Sequence, residues 1–246
     1  MSIIENNDAE NHLRTIYIIG GIFTIIALIG FVLDVIIGSI TGGNLSALPQ
    51  TAVERFIQFQ QNPLLGLYNL DLLNIINQMI MIPVYFALYM AQIKTKNYFT
   101  LLSMIIFLVG STIFVTTNTA LPMLELSNKY ASSLTESQKI LLAAAGESML
   151  ARGSHGSPGV FIGFVLPNIG GIIMSFAMLK GKVFGKANSF VGIAGSSLIV
   201  IYLILVTFAP SVKNMATLFA MPGGLLCIAW MIMFTITLFK LGFAKK

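Results

Sequence analysis

Charge is scarce in this chain: Asp, Glu, Lys and Arg make up 9% of its 246 residues. That is too little to cover the surface of a soluble domain of this size, so a soluble globular fold is excluded at the level of composition. Cysteine is scarcer still. The single Cys227 lies in an apolar run, so one chain can build neither an internal disulfide nor a thiolate metal cluster. Signature motifs are missing too. There is no HExxH, no P-loop and no GxGxxG, and Ser154 and Ser157 both lack the upstream glycine of a GxSxG elbow. A net charge of +5 would suit nucleic acid, yet the cations are scattered between apolar runs with no Arg-rich stripe, which argues against a nucleic-acid partner.

What is present is hydrophobic sequence: 56% of the residues, with a mean hydropathy of +0.87. The lipid bilayer is the expected solvent, and the 13 Met and 18 Phe read as packing or lipid-facing residues. A helix rises about 1.5 Å per residue and the hydrocarbon core is about 30 Å thick, so a span needs roughly 20 apolar residues. Six stretches qualify, near 16–37, 70–91, 98–115, 158–179, 187–208 and 217–239. The alternating pattern of a β-barrel is absent. The expected fold is all-α and polytopic, a single integral membrane domain over residues 1–246. The first apolar run is too long for a signal-peptide core and carries Asp34, so it reads as a retained helix behind a polar tail of residues 1–13.

Cation placement predicts orientation. Arg14, Lys94, Lys96, Lys180, Lys182, Lys186, Lys240, Lys245 and Lys246 fall on one side, and Arg55, Lys129, Lys139, Arg152 and Lys213 on the other. The richer side is expected to be cytoplasmic, in an inner cell membrane, with both termini inside. The two long connections, 40–69 and 116–157, are then outside and form an extracytoplasmic cap. Within it, Thr135 and Gln138 match a capping box. "ESQKILLAAAGESMLA" behind them predicts an amphipathic helix over 136–151, with Ile140, Leu141, Ala144 and Met149 on its apolar face. Residues 52–61 are a second candidate helix, stopped by Asn62 and Pro63. The first and last three spans show no internal repeat.

The second span opens on "NLDLLNIINQMI". Asp71, Asn74 and Gln78 are spaced i, i+3 and i+7, so at about 100° per residue they share one face, with Asn77 to the side. Asp34, at the end of span one, is expected at a similar depth. Asn118 and Asn168 extend the set of polar candidates. One reading is an outward-facing polar site lined by Asp34, Asp71, Asn74, Gln78, Asn118 and Asn168, since ionisable groups at membrane depth point to function. The competing reading is that these side chains hydrogen-bond between helices and hold the bundle together. His155 in "ARGSHGSPG" reads as a solvated loop residue, with a third-ligand or general-base role as its alternative. Glu147 reads as a solvated charge. Gly159 with Gly163, Gly171 with Ser175, and Gly192 with Ser196 are small-residue pairs that predict close packing of spans four and five. Pro83, Pro167 and a Pro222-Gly223-Gly224 turn are expected to kink or interrupt their spans.

"ESQKILLAAAGESMLA", "GGIIMSFAMLKGKVFGKANSFVGIAGS" and the polar opening of span two together resemble a prokaryotic family of six-span integral membrane proteins, a domain-of-unknown-function family. The resemblance covers most of the chain from about residue 16 and implies a fold and a membrane location, with no activity, cofactor or catalytic residue to carry over. The leading expectation is therefore a non-enzymatic membrane protein that binds or passes a small solute, ion or lipid. The alternatives are an intramembrane enzyme using Asp34 and Asp71, with His155 and a metal, and a structural or sensory subunit.

Overall fold

A computed structural model describes residues 3–40, 48–95 and 98–244. Lys96, Lys245 and Lys246 of the orientation argument lie outside the described residues, as do residues 1 and 2 of the tail, residues 41–47 of the first connection and the side chain of Lys213. Among the described residues there are ten α-helices and no strands. Six are long and apolar enough to cross a membrane. They are α1 (Ile3–Ile40), α4 (Leu72–Gln92), α5 (Tyr98–Thr117), α8 (Pro158–Gly181), α9 (Lys186–Phe208) and α10 (Lys213–Gly242). The short helices are α2 (Ala52–Gln61), α3 (Pro63–Tyr68), α6 (Ala120–Ser132) and α7 (Glu136–Gly153). From Ile3 onward the polar N-terminal segment is a continuation of α1.

The six spans close into a ring. Each packs on its neighbours in chain order, α1 on α4, then α5, α8, α9 and α10, and α10 returns to α1. Their outward faces carry the exposed aliphatics expected against lipid, such as Ile22, Ile25, Ile29 and Ile36 on α1. Because lipid is as apolar as leucine, burial of apolar surface does not drive these helices together; close backbone approach and interhelical hydrogen bonds do. Gly163 and Gly170 of α8 face α5, where a Cβ on Gly163 would sit 2.8 Å from the Phe114 Cα. Ser103 Oγ of α5 donates to the Gly170 carbonyl at 2.6 Å. Gly171 faces Ser196 of α9, while Gly195 faces the Cys227 backbone of α10. The small residues of α8 thus serve two seams, to α5 as well as to α9. Across α4 and α5 the rings of Tyr85 and Phe107 stack at 3.7 Å.

Pro83, Pro167 and Pro222 all lie inside continuous helices, so the expected Pro222-Gly223-Gly224 turn is instead part of α10. The two long connections pack on each other at one end of the ring. Their core is Ala52, Phe56 and Phe59 of α2 with Leu70, Ala120, Met123 and Leu150. Thr51 and Glu54 form a complete capping box at the start of α2, and Thr135 accepts from the Gln138 amide at α7. Asn62 ends α2 and caps α3 through Leu65 N at 3.0 Å. Helix α7 buries Gly146, Leu150 and Gly153, while Ile140, Leu141 and Ala144 of the expected apolar face are exposed. The reason is steric: bare Gly146 admits Ala52 and Phe56 of α2, which a Cβ would meet at 2.6 and 2.7 Å. Glu147 is exposed, as expected of a solvated charge, and also accepts from the Ala52 amide at 2.7 Å, which ties α7 to α2.

Candidate functional site

Asp71 sits in the turn between α3 and α4 with φ 63°, a left-handed conformation that Asp and Asn tolerate better than most residues. Its carbonyl accepts the first hydrogen bond of α4, from Ile75 N at 3.0 Å. The carboxylate is buried. Oδ1 accepts from Asn74 Nδ2 at 2.9 Å, so the i, i+3 spacing does pair these two. Both oxygens also lie 3.2–3.3 Å from His155 Nδ1. The other ring nitrogen of His155, Nε2, is 2.7 Å from the hydroxyl of Tyr202 on α9.

His155 reaches this position because the α7–α8 connection folds back sharply. Ser157 N donates to the Ser154 carbonyl at 3.0 Å, and Gly156 adopts φ +77° beside Val206, a conformation that favours glycine. The imidazole then meets Phe164 edge-on at 5.4 Å. A histidine expected in solvent is thus enclosed, its side chain 19% exposed. A carboxylate can only accept, so Asp71 holds the proton of the imidazole on Nδ1. Nε2 accepts from the Tyr202 hydroxyl when the ring is neutral and donates to its oxygen when the ring is protonated. Asp71, His155 and Tyr202 form a hydrogen-bonded chain joining three elements far apart in sequence.

This chain stands at the capped end of a central cavity of about 350 Å³. All six spans contribute walls, among them Phe31, Tyr85, Phe107, Phe164, Leu203 and Trp230. Asp34, Asn74, Gln78 and Asn168 of the sequence-derived set line it, together with His155 and Tyr202. Asn74 and Tyr85 are eleven positions apart on α4, so the cavity runs roughly 16 Å along the bundle. Gln78 Nε2 donates to Ser111 Oγ of α5 at 2.8 Å, and Asn168 Nδ2 to the Phe164 carbonyl of its own helix at 2.9 Å. Asn118 belongs elsewhere. Its Nδ2 donates to the Leu70 carbonyl at 2.6 Å and its Oδ1 accepts from Ala120 N, which fixes the α5–α6 corner to the start of α4. Asn77 is buried against Gly30, where α1 and α4 touch.

Asp34 and Asp71 both act on Tyr68, whose hydroxyl donates to the Asp34 main-chain carbonyl at 3.0 Å. Burial first, and these carboxylates after it, hold the Tyr68 phenol above its ordinary range, so it remains a neutral donor. Among the described residues no three His, Cys, Asp or Glu side chains are grouped to hold a metal ion. A second, smaller pocket of about 150 Å³ lies on the other side of His155, bounded by Gln50, Arg55, Ser154 and Ser157. Burial pushes the Arg55 guanidinium down to about 10, against the pull of Asp71, and still leaves it charged at neutral pH.

Sequence reasoning did not single out Tyr202 or Arg55 for this site. Tyr202 is one aromatic in an apolar span and carries no local signal. Arg55 does carry one, since it shares the i, i+3, i+4, i+7 stripe of α2 with Ala52, Phe56 and Phe59, the buried face. Compared with protein-family models, curated proteins and solved structures, the chain matches none.

Proposed function

We propose that this multi-pass membrane protein binds a small, largely apolar molecule in the central cavity, with the molecule's polar end at the Asp71–His155–Tyr202 chain. The observation that carries this reading is the polarity of the cavity: Asp34, Asn74, His155 and Tyr202 line its capped end, Gln78 and Asn168 lie deeper and each bond to a protein partner, and aromatic and aliphatic side chains form most of the remaining wall. A membrane-soluble amphiphile matches both halves, whereas a hydrated ion would lose its water against the Phe31, Phe107 and Trp230 walls. With the cation-rich connections cytoplasmic, the capped end and the site open toward the outside of the cell membrane. Asn74 and Gln78 each spend one amide donor on a protein partner, and their positions on the cavity wall offer the remaining polar atoms to a ligand.

Cys227, the sole cysteine, lines the cavity and supplies the test. A small neutral thiol reagent should label it in the purified protein, and an apolar fraction of the native membrane extract should protect it. Mass spectrometry of the protected sample identifies the molecule. Asn74→Ala and Tyr202→Phe should lose that protection. Labelling that no lipid fraction slows, or protection unchanged in both variants, would overturn the proposal.

One observation favours a second reading, an intramembrane enzyme: the Asp71–His155–Tyr202 chain can move a proton to or from the Tyr202 hydroxyl. Conversion of the bound molecule into a product that vanishes in Tyr202→Phe would select it.

A further inference from the structure

The smaller pocket holds a buried cation with no counter-charge in contact. Arg55 is 5% exposed, yet its Nη1 makes only a long bond to Gln58 Oε1, 3.4 Å, and its Nε is buried without a partner. The neighbouring carboxylates are committed elsewhere. Glu54 accepts from Gln50 N and Thr51 N in its capping box, Glu147 accepts from Ala52 N, and Asp71 serves His155 and Asn74. None of them forms an ion pair with Arg55 among the described residues. A guanidinium carries five donors in a planar fork, so leaving one enclosed and unmatched is costly unless something arrives to accept from it.

The rest of the pocket has the same polarity. Ser157 is the N-cap residue of the 24-residue α8, but its side chain makes no capping bond and its Oγ is buried without a partner. The positive end of the α8 dipole therefore lies beside a free hydroxyl and a free guanidinium nitrogen. Gln50, Ser154 and His155 also line it, with Leu48, Pro49 and Leu150 as the apolar part of the wall. We propose that this pocket is an oxyanion site that takes a phosphate group through Arg55 and Ser157, next to His155. The site stands apart from the central cavity and does not rest on what that cavity binds. The same chemistry serves a free phosphate or the phosphomonoester head of a lipid, and the pocket's place at the capped end of the bundle is open to both sources.

The test uses the full-length protein in an uncharged detergent, with inorganic phosphate titrated against chloride at constant ionic strength. Thermal unfolding and isothermal calorimetry are the readouts. Phosphate should raise the midpoint of the wild type, and Arg55→Lys, which keeps the charge but loses the fork, should weaken binding about tenfold. Arg55→Gln should abolish it. Ser154→Asp leaves Arg55 in place and puts a carboxylate into the pocket. It should also abolish the response, which keeps the test intact if Arg55→Gln does not fold. A short-chain phosphatidic acid binding at least tenfold tighter than inorganic phosphate assigns the site to a lipid head, and equal or weaker binding assigns it to the free anion. A wild-type protein indifferent to both probes, or an Arg55→Gln or Ser154→Asp variant that responds like the wild type, overturns the site. Cys227 protection is read separately, so failure here is distinguishable from failure of the cavity reading.

Discussion

Asp71 combines two duties that substitution can separate, a left-handed backbone and a carboxylate that accepts from two partners. Asparagine tolerates the backbone and keeps an acceptor oxygen for Asn74 and His155, but turns a charge-assisted contact into a neutral one. With charged hydrogen bonds worth about 1.5–3 kcal/mol and neutral ones about 0.5–1.5, Asp71→Asn should cost roughly 1–1.5 kcal/mol for each of the two bonds, about 2–3 kcal/mol in all. Alanine loses both bonds and leaves Asn74 Nδ2 and His155 Nδ1 without an acceptor in an enclosed site, while it keeps the strain of a left-handed Cβ that aspartate already carries. The expected total is about 3–5 kcal/mol. Glycine loses the same bonds without the backbone strain, so Asp71→Gly should recover about 1–2 kcal/mol relative to alanine, less its greater freedom in the unfolded chain. Stability should therefore fall in the order wild type, Asn, Gly, Ala. Unfolding in mixed micelles, followed by fluorescence of the single Trp230, measures it. Alanine as stable as asparagine would show that the contacts around Asp71 carry no weight, and glycine below alanine would refute the backbone argument.

Other outcomes follow from the packing and the caps. Gly163→Val drives a side chain into the Phe114 backbone and should destabilise the α5–α8 seam by about 1–3 kcal/mol or more in the same unfolding assay. Gly224→Ala, mid-helix in α10 with nothing within 4 Å of the new Cβ, should stabilise by up to about 1 kcal/mol. The Thr51 and Gln50 amides hold the Glu54 carboxylate below its ordinary range. Its support for α2 should therefore be full above that range and fade as pH falls below it through the lowered value, a loss of amide protection absent from Glu54→Gln when followed by hydrogen exchange at acid pH. With Cys227 replaced by serine, a cysteine at Lys182 should react with an impermeant reagent only from the cytoplasmic side; labelling from outside reverses the orientation.

The spans were readable because a bilayer imposes one strong rule, an apolar run of a given length, and each of the six long helices fulfils it. Helix α2 and the end imposed by Asn62 and Pro63 were readable for a different reason, local chemistry at the termini. Helix α6 escaped because it follows α5 with only Asn118 and Thr119 between them, and its apolar residues merge with those of the span. The buried face of α7 escaped because its contact is made by an absence. Gly146 packs closely for want of a side chain, and hydrophobic periodicity counts only side chains that exist.

The same distinction explains the site. Asp71, Asn74 and Gln78 share one helix, so their common face follows from helical geometry alone, and all three engage polar partners as that face requires. His155 and Tyr202 could not be joined to them by spacing, because the fold brings them from 84 residues away and, beyond His155, another 47. What the sequence does hold is the means of delivery: Gly156 permits the left-handed turn, and Ser154 and Ser157 close it. A histidine between residues that build a tight turn is presented in a fixed direction, whereas one in a flexible polar loop is not. Local sequence decides whether His155 is held, and only the closure of the helical ring decides what it is held against.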